Sequence, residues 1–147
     1  MWRAATPADD DAIVASSLAL YVDDPSPETV DAAQIRRTIA ALAREPHRGR
    51  ILVLDVDGVC GHAFLISFWS NELGGDVCTV DELYVAPRAR GRGHAGALLD
   101  ALAAGAWWHD AVAVALEVTP DNRRARALYE RHGFAGKNQG LRRRVVR

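Results

Sequence analysis

The segment that most constrains this chain spans residues 81–99 and reads DELYVAPRARGRGHAGALL. It predicts a strand, a proline turn, a basic loop rich in glycine and then a helix. The first backbone N–H groups of a helix have no internal partners and carry the positive end of its dipole. Glycine lets an anion approach that backbone closely. The segment therefore predicts an anion-binding helix start, with a phosphate or pyrophosphate as its natural ligand.

Charge and glycine spacing in this loop support that interpretation. Gly91, Gly93 and Gly96 lie at one helix start, and three arginines lie close by, of which Arg90 and Arg92 are the better placed. The alternative is an ordinary tight turn with solvated arginines. Three glycines at a single helix start favour the anion site over that alternative.

The same spacing argues against two other phosphate-binding loops. No Lys-Ser or Lys-Thr follows the glycines, as a P-loop requires. Residues 91–96 match the letters of a dinucleotide fingerprint, GxGxxG. However, the strand before them belongs to an antiparallel meander, and no acidic residue follows the next strand at the expected distance. A dinucleotide-binding fold is therefore a poor interpretation.

The remaining pattern predicts a single mixed domain over residues 1–147. Apolar periodicity, caps and turn residues predict five strands and four helices before a last strand. The five strands cover residues 2–4, 50–57, 59–69, 77–85 and 111–119. The first helix runs from about 6 to 21, the second from 26–27 to 44–48, the third from 91 to 108 and the fourth from 120 to 132. The last strand covers residues 141–147. The nearly continuous apolar run over 111–119 predicts a strand buried on both faces.

Composition narrows the class of protein. A formal net charge of −1 gives no global reason to bind nucleic acid, although arginines cluster over residues 142–147. Cys60 and Cys78 form neither a zinc motif nor a disulfide framework, which favours a reducing cytoplasm and no metal. No apolar run reaches membrane-spanning length, and the amino terminus lacks a signal-peptide pattern.

Two motifs resemble the GCN5-related N-acetyltransferase superfamily. The acetyl-CoA signature Q/R-x-x-G-x-G/A is matched by residues 90–95, RGRGHA. A second segment, residues 122–134, is similar to the superfamily's N-x-x-A-x-x-L-Y-E-x-x-G-F. Two motifs in the right order and separation are more specific than either alone. Ala95 stands where many relatives have glycine, and the signature admits alanine.

This resemblance implies an α+β fold of three layers, α/β/α, with a mixed and mostly antiparallel central sheet. It implies that the strands over 77–85 and 111–119 splay apart to hold the pantetheine arm of acetyl-CoA. Backbone groups of Leu83, Tyr84 and Val85 would bond that arm. The pyrophosphate would be held by the loop residues, namely Arg90, Gly91, Arg92, Gly93, His94, Ala95 and Gly96.

Direct transfer to an amine needs a base for the amine proton and an acid for the leaving thiolate. The resemblance implies Tyr129 as the acid, although helical spacing also fits a core position. For the base, Glu82 and Asp81 face opposite sides of their strand. Glu82 shares its parity with Tyr84 and is slightly preferred. Glu117, in an apolar setting, is a further candidate for the base or for an ion pair.

Other assignments stay open at this stage. Asn122 either bonds the cofactor or caps the last helix together with Asp121. Trp69, Asn71 and Glu72 border the turn between two strands and are candidates for the acceptor site. The resemblance implies that Asp23, Asp24 and Asp31 flank the region that closes over the acceptor, where they would suit a cationic amine; the alternative is an acidic, solvated helix start.

The resulting hypothesis is transfer of an acetyl group from acetyl-CoA to a small-molecule or peptide primary amine. The alternative is a non-catalytic acyl-CoA sensor of the same fold. The sequence does not choose among amines, and it leaves a homodimer open.

Overall fold

A computed structural model describes residues 1–136 and Arg144 of the chain. The elements, in chain order, are β1 (Trp2–Ala4), α1 (Asp10–Asp23), α2 (Ala32–Arg44), β2 (Gly49–Asp55), β3 (Val59–Ser70), β4 (Gly75–Val85), α3 (His94–Ala103), β5 (Ala111–Leu116) and α4 (Arg123–Arg131). A short 3-10 turn at Pro7–Asp9 precedes α1. A second one at Pro87–Ala89 precedes residues 90–93, which we call the glycine loop. The strand predicted over 141–147 lies outside the described residues, apart from Arg144.

The five strands form one sheet in the order β1-β2-β3-β4-β5 within the described part of the chain. The first four strands are antiparallel, whereas β5 runs parallel to β4. The parallel pairing begins at Asp76 and Ala111 and stops at Val80 and Leu116. Beyond Val80 the second half of β4 has no β5 partner, although it stays paired with β3 on its other edge.

Helices cover both faces of the sheet, and alternation along β2 shows the division. Leu52 points into a core that contains Leu98 and Leu102 of α3. Its neighbour Val53 points into a second core with Ile13 of α1 and Ile35 of α2. Both strand residues are fully buried, as expected for a sheet between two helical layers. The predicted three-layer α+β fold with a mixed, mostly antiparallel sheet is confirmed.

Local capping explains where α2 begins. Asp31 Oδ1 accepts a hydrogen bond from the Gln34 backbone N–H at 2.8 Å, and Gln34 Oε1 accepts one from the Asp31 N–H at 2.7 Å. This reciprocal capping box satisfies two backbone donors at the helix start. The start predicted at residues 26–27 is therefore wrong, because the prolines there mark a loop that precedes the cap.

The region after α3 also departs from the prediction. α3 ends at Ala103, not at residue 108, because Gly105 and Trp107 adopt left-handed backbone with φ of +85° and +66°. This turn returns Trp108 to the core, where the Arg50 guanidinium lies 4.6 Å from its ring centroid. The strand that follows is β5, and none of its residues is fully buried, so the prediction of burial on both faces is wrong.

No helix among the described residues combines the length and apolarity needed to cross a bilayer.

Candidate active site

A cavity of about 600 Å³ lies beside the second half of β4. Four pieces of chain line it: the end of α1, β4 after Val80, the glycine loop with the start of α3, and one side of α4. The lining residues are Leu20, Asp23, Asp24, Leu83, Tyr84, Val85, Ala89, Arg90, Gly91, Gly93, His94, Ala95, Gly96, Asn122, Arg124, Ala125, Leu128, Tyr129 and Arg131. The structure thus brings all the predicted cofactor-binding residues except Arg92 to one cavity.

The glycine loop presents open backbone to this cavity. Gly91 and Gly93 have φ of +75° and +78°, a conformation that L side chains rarely adopt. A Cβ added at either position would meet no atom within 4 Å. Gly93 is also the N-cap of α3, so the free N–H groups of the helix start lie next to this space. The loop therefore has the shape and the dipole that an anion needs.

His94, the first residue of α3, is held by the first strand. Its carbonyl oxygen accepts a hydrogen bond from Trp2 Nε1 at 2.8 Å. Its imidazole Nε2 is buried and lacks a hydrogen-bond partner among the described residues.

The two arginines of the glycine loop, Arg90 and Arg92, differ in their surroundings. Arg90 donates from Nε to the Val85 carbonyl at 2.7 Å and pairs with Asp23 Oδ2 at 2.6 Å. Its guanidinium also lies 5.5 Å from the centroid of the Tyr84 ring. Arg90 therefore joins the loop to β4 and to the end of α1. Arg92 is exposed and does not line the cavity.

Arg88 fixes the beginning of the loop. Its guanidinium donates to the carbonyl oxygens of Val56, Gly58 and Val59 at 3.2, 3.4 and 3.3 Å. These three carbonyls belong to the turn between β2 and β3 and its edges.

Gly96 meets a different constraint from the two glycines before it. A Cβ at this position would lie 2.4 Å from Nε2 of His132, just beyond the end of α4. The His132 imidazole in turn contacts Asp100 of α3, with Nδ1 and Oδ1 2.7 Å apart. Gly96 therefore allows the end of α4 to approach α3 closely.

Tyr129 lies on the α4 side of the cavity and is half-buried. Its ring packs edge-on against Phe134, with centroids 6.2 Å apart. Burial raises the pKa of its phenol, and the negative charge of Asp24 raises it further. The hydroxyl therefore stays protonated at neutral pH and can act as a donor.

Asn122 caps α4, because its Oδ1 accepts a hydrogen bond from the Ala125 N–H at 3.1 Å. Its Nδ2 donates to Asp24 Oδ2 at 3.0 Å, which links α4 to the end of α1. Of the two roles predicted for Asn122, the structure shows capping of α4. Asn122 also lines the cavity, so it is within reach of a bound cofactor.

Glu82 belongs to a buried polar network behind the cavity. Its Oε2 accepts from Ser17 Oγ at 2.8 Å and lies 2.7 Å from His62 Nε2, and its Oε1 accepts from the Tyr21 hydroxyl at 2.8 Å. His62 is fully buried, and its Nδ1 lies 2.7 Å from Ser16 Oγ. Although burial opposes ionisation, hydrogen bonds and charge from His62 with the two hydroxyls leave the pKa of Glu82 below its ordinary value.

A β-bulge determines which way Glu82 points. In the pairing of β3 with β4, Phe64 lies opposite Glu82 and Leu65 lies opposite Val80, so Asp81 is the extra residue. Val80 packs in the α3 core, whereas Glu82 contacts α1. Simple alternation would place Val80 and Glu82 on one face. The bulge therefore turns Glu82 towards α1.

The remaining candidate bases lie elsewhere. Asp81 is exposed, and neither it nor Glu82 lines the cavity. Glu117 follows β5 and is exposed, so the apolar setting predicted for it is wrong.

Among the candidate acceptor residues, only Asp23 and Asp24 line this cavity. Trp69 is 65% exposed near the turn between β3 and β4, where Asn71 and Glu72 also lie, and Asp31 caps α2.

Sequence reasoning missed several residues of this site. Arg124, Leu128 and Arg131 lie on one side of α4 and line the cavity. Their spacing of four and three residues indicates a shared helix face, so the sequence carried a signal for them. His62 carried no such signal, because its partner Glu82 lies on another strand. The described residues contain no group of three His, Cys, Asp or Glu side chains arranged to hold a metal ion.

Comparison with known proteins gives consistent results. The family model described as "Acetyltransferase (GNAT) family" matches residues 15–134. The chain is similar to the uncharacterized N-acetyltransferase YhfO of Bacillus subtilis (strain 168), with 32% identity over 91 residues. That alignment covers 61% of this chain and 61% of the relative, so the chain matches about three fifths of the relative's length.

Two solved structures share the fold along nearly the whole chain. A possible acetyltransferase from Clostridium difficile 630 superposes with a TM-score of 0.83 at 21% identity, covering 99% of this chain and 97% of that one. An integron cassette protein from the mobile metagenome of Cole Harbour Salt Marsh gives a TM-score of 0.79 at 24% identity, covering 99% and 90%.

Proposed function

The chain belongs to the acetyltransferase (GNAT) family, and we propose that it transfers an acetyl group from acetyl-CoA to a primary amine. The observation that carries this proposal is the continuity of the cavity. It borders Leu83, Tyr84 and Val85 of β4, which lie beyond the last pair of β4 with β5, and it includes the two left-handed glycines before α3. A long ligand with a pyrophosphate at one end fits a cleft that has an anion-binding helix start.

The open backbone of the loop fits that cosubstrate. We propose that the N–H groups around Gly91, Gly93 and Ala95 hold the pyrophosphate, since a Cβ at either of the two left-handed glycines would project into open space. Leu83, Tyr84 and Val85 lie in the part of β4 that has no β5 partner, and their backbone groups would bond the pantetheine arm. The Val85 carbonyl already accepts from Arg90, so its contribution is limited to other backbone groups.

The transfer itself forms a C–N bond and breaks a C–S bond. The amine nitrogen attacks the thioester carbonyl and loses a proton, and the departing sulfur gains one. We propose that the Tyr129 hydroxyl supplies the second proton, because its raised pKa keeps it protonated inside the cavity.

We propose Glu82, in preference to Asp81, as the base that accepts the proton of the amine. Glu82 is ionised at neutral pH, because His62, Ser17 and Tyr21 stabilise its carboxylate. Neither Glu82 nor Tyr21, which donates to it, lines the cavity, so the amine proton would travel to Glu82 through water.

A second candidate function is an acyl-CoA sensor without turnover. The observation that favours it is the internal commitment of Glu82, whose two oxygens already have three partners within the protein. Such a carboxylate could serve stability alone.

Calorimetric titration with acetyl-CoA, CoA and NADH tests the proposal. We expect both CoA species to bind and NADH not to bind. Binding of none of them would remove the proposal. The protein is then incubated with acetyl-CoA and each amine of a panel, and the released CoA thiol is measured. An enzyme releases thiol in step with consumption of the amine, whereas a sensor releases none.

We further propose a cytoplasmic location, in line with Cys60 and Cys78, which are buried and unpaired. Homodimer formation and the absence of a nucleic-acid partner stay predictions.

A further inference from the structure

The end of α1 carries an unfavourable arrangement of charge. Asp23 is the last residue of the helix, Asp24 is its C-cap, and the last turn holds no basic residue. Helix C-termini have a partial negative charge and favour cations. Two carboxylates at this position therefore raise the local negative potential, and that potential faces the cavity, which both residues line.

Only one of these carboxylates is neutralised within the described residues. Asp23 pairs with Arg90 at 2.6 Å. Asp24 Oδ1 accepts from the Thr119 hydroxyl at 3.2 Å, and its Oδ2 accepts from Asn122 Nδ2 at 3.0 Å. Both of these donors are neutral, and no cationic side chain of the described chain pairs with Asp24. Its charge is therefore held in place by hydrogen bonds without being compensated.

Asp24 is also close to the proposed chemistry. It is half-buried and shares the cavity with Tyr129, whose phenol it influences electrostatically. Besides Asp23, which pairs with Arg90, the other charged groups of the lining are Arg90, Arg124 and Arg131, and these arginines suit an anionic cosubstrate. Asp24 is the lining carboxylate that is left to attract a cation.

We propose that Asp24 binds a positive charge on the acceptor, so that the preferred substrates are aliphatic amines with a second cationic group. The second group is required because the reacting nitrogen must lose its proton before it attacks. An ion pair that persists through the reaction therefore needs a charge elsewhere on the acceptor. This inference rests on the proposed function and makes its acceptor more specific.

The test measures binding, so it does not depend on turnover. 1,4-Diaminobutane and butylamine, which share a four-carbon chain and differ by one ammonium group, are titrated into the wild-type protein saturated with CoA. We expect the diamine to bind about tenfold more tightly than butylamine, as one retained charge pair implies.

Variants separate the charge of Asp24 from its hydrogen bonds. Asp24→Asn should weaken diamine binding about tenfold and butylamine binding less, because butylamine has one ammonium group to divide between Asp24 and the position of the reacting nitrogen, whereas Asp24→Glu should restore most of the diamine affinity. Thr119→Val removes one hydrogen bond to Asp24 but no charge, and should change diamine affinity less than about threefold. Asp23→Asn removes the neighbouring, already paired charge and should weaken diamine binding less than Asp24→Asn.

The outcomes are distinguishable. If CoA does not bind the wild-type protein, the proposed function fails. If CoA binds but the diamine shows no preference over butylamine, or binds Asp24→Asn as tightly as the wild type, the inference about Asp24 alone is overturned. Should Asp24→Asn fail to fold, salt dependence of the wild type decides: raising NaCl from about 0.05 to 0.5 M must weaken the diamine more than butylamine.

Discussion

The two sides of the cavity are built in different ways. On the side of α3, the surface is backbone: two left-handed glycines and the free N–H groups of a helix start. On the side of α1, it is side chains: Asp23 and Asp24 bridge to Arg90 and Asn122, and Glu82 is held behind them by Ser17 and Tyr21. We refer to these as the glycine side and the α1 side.

This difference has consequences for how each side responds to mutation. A surface made of backbone depends on conformation, so it is disturbed by any side chain that alters φ or fills the space. A surface made of side chains depends on partners that are distant in sequence, so it is disturbed by the loss of one charge or one hydrogen bond. Substitutions on each side of the cavity, and at Tyr129 between them, test whether the contrast holds.

Glu82→Gln should destabilise the α1 side most. It replaces a buried carboxylate that His62, Ser17 and Tyr21 all contact, and disrupting such charge-assisted hydrogen bonds costs about 3 kcal/mol. Urea unfolding measures the loss. Glu72→Gln makes the same chemical change at an exposed residue of the turn between β3 and β4, and as the matched control it should cost less than about 0.5 kcal/mol.

The pH dependence of that stability provides a further check. Because folding lowers the pKa of Glu82, its ionised form stabilises the protein above the pKa of the unfolded chain. That stabilisation is lost as the pH falls through the folded value. The difference in unfolding free energy between wild type and Glu82→Gln should therefore shrink on acidification. If this difference in unfolding free energy increased on acidification, the network would not be stabilising the ionised form of Glu82.

Tyr129→Phe tests the chemistry between the two sides. Removing the proposed acid should lower kcat about 100-fold, while the Kd for acetyl-CoA changes less than twofold. Steady-state thiol release and calorimetry give the two numbers. An unchanged kcat would leave Tyr129 as a packing residue beside Phe134.

Gly93→Val tests the glycine side. Strain at φ of +78°, together with a side chain in the open space, should weaken CoA binding about 30-fold. Gly74→Val is the control, because Gly74 has φ of +66° and equally open surroundings but lies in the turn between β3 and β4. Equal loss of CoA affinity in both variants would show that strain alone, and not the anion site, was measured.

Gly96→Ala should separate this glycine from the other two. Its Cβ would overlap the His132 imidazole, so we expect about 1.5 kcal/mol of destabilisation with CoA affinity nearly intact. Thermal unfolding and calorimetry measure the two effects. If CoA affinity falls while stability does not, Gly96 belongs with Gly91 and Gly93 after all.

The contrast also explains what could be predicted from sequence. The glycine loop and its helix are local, because strand, loop and N-cap lie within about twenty consecutive residues, and local geometry follows from residue type. The individual strands and helices were predictable for the same reason, since alternation and periodicity are local signals, whereas the sheet with a helical layer on each face was implied by the resemblance to the superfamily.

The α1 side was harder to predict, because its geometry depends on contacts between distant residues. The pairing of His62 with Glu82 joins two strands, and the bulge at Asp81 shifts the register that alternation assumes. Arg90 was expected to face the cofactor, but it also bonds the Val85 carbonyl and Asp23, which lies 67 residues earlier. The start of α2 was misplaced for a smaller reason, the competition between a proline turn and the capping box of Asp31.

The clamp made by Arg88 has a consequence for binding kinetics. Its three hydrogen bonds tie the beginning of the glycine loop to the turn between β2 and β3, so the loop is ordered before any ligand arrives. A preorganised loop loses little conformational entropy on capture. Association at the glycine side should therefore be limited by diffusion and docking rather than by loop closure, and differences in affinity among CoA derivatives should arise in their dissociation rates.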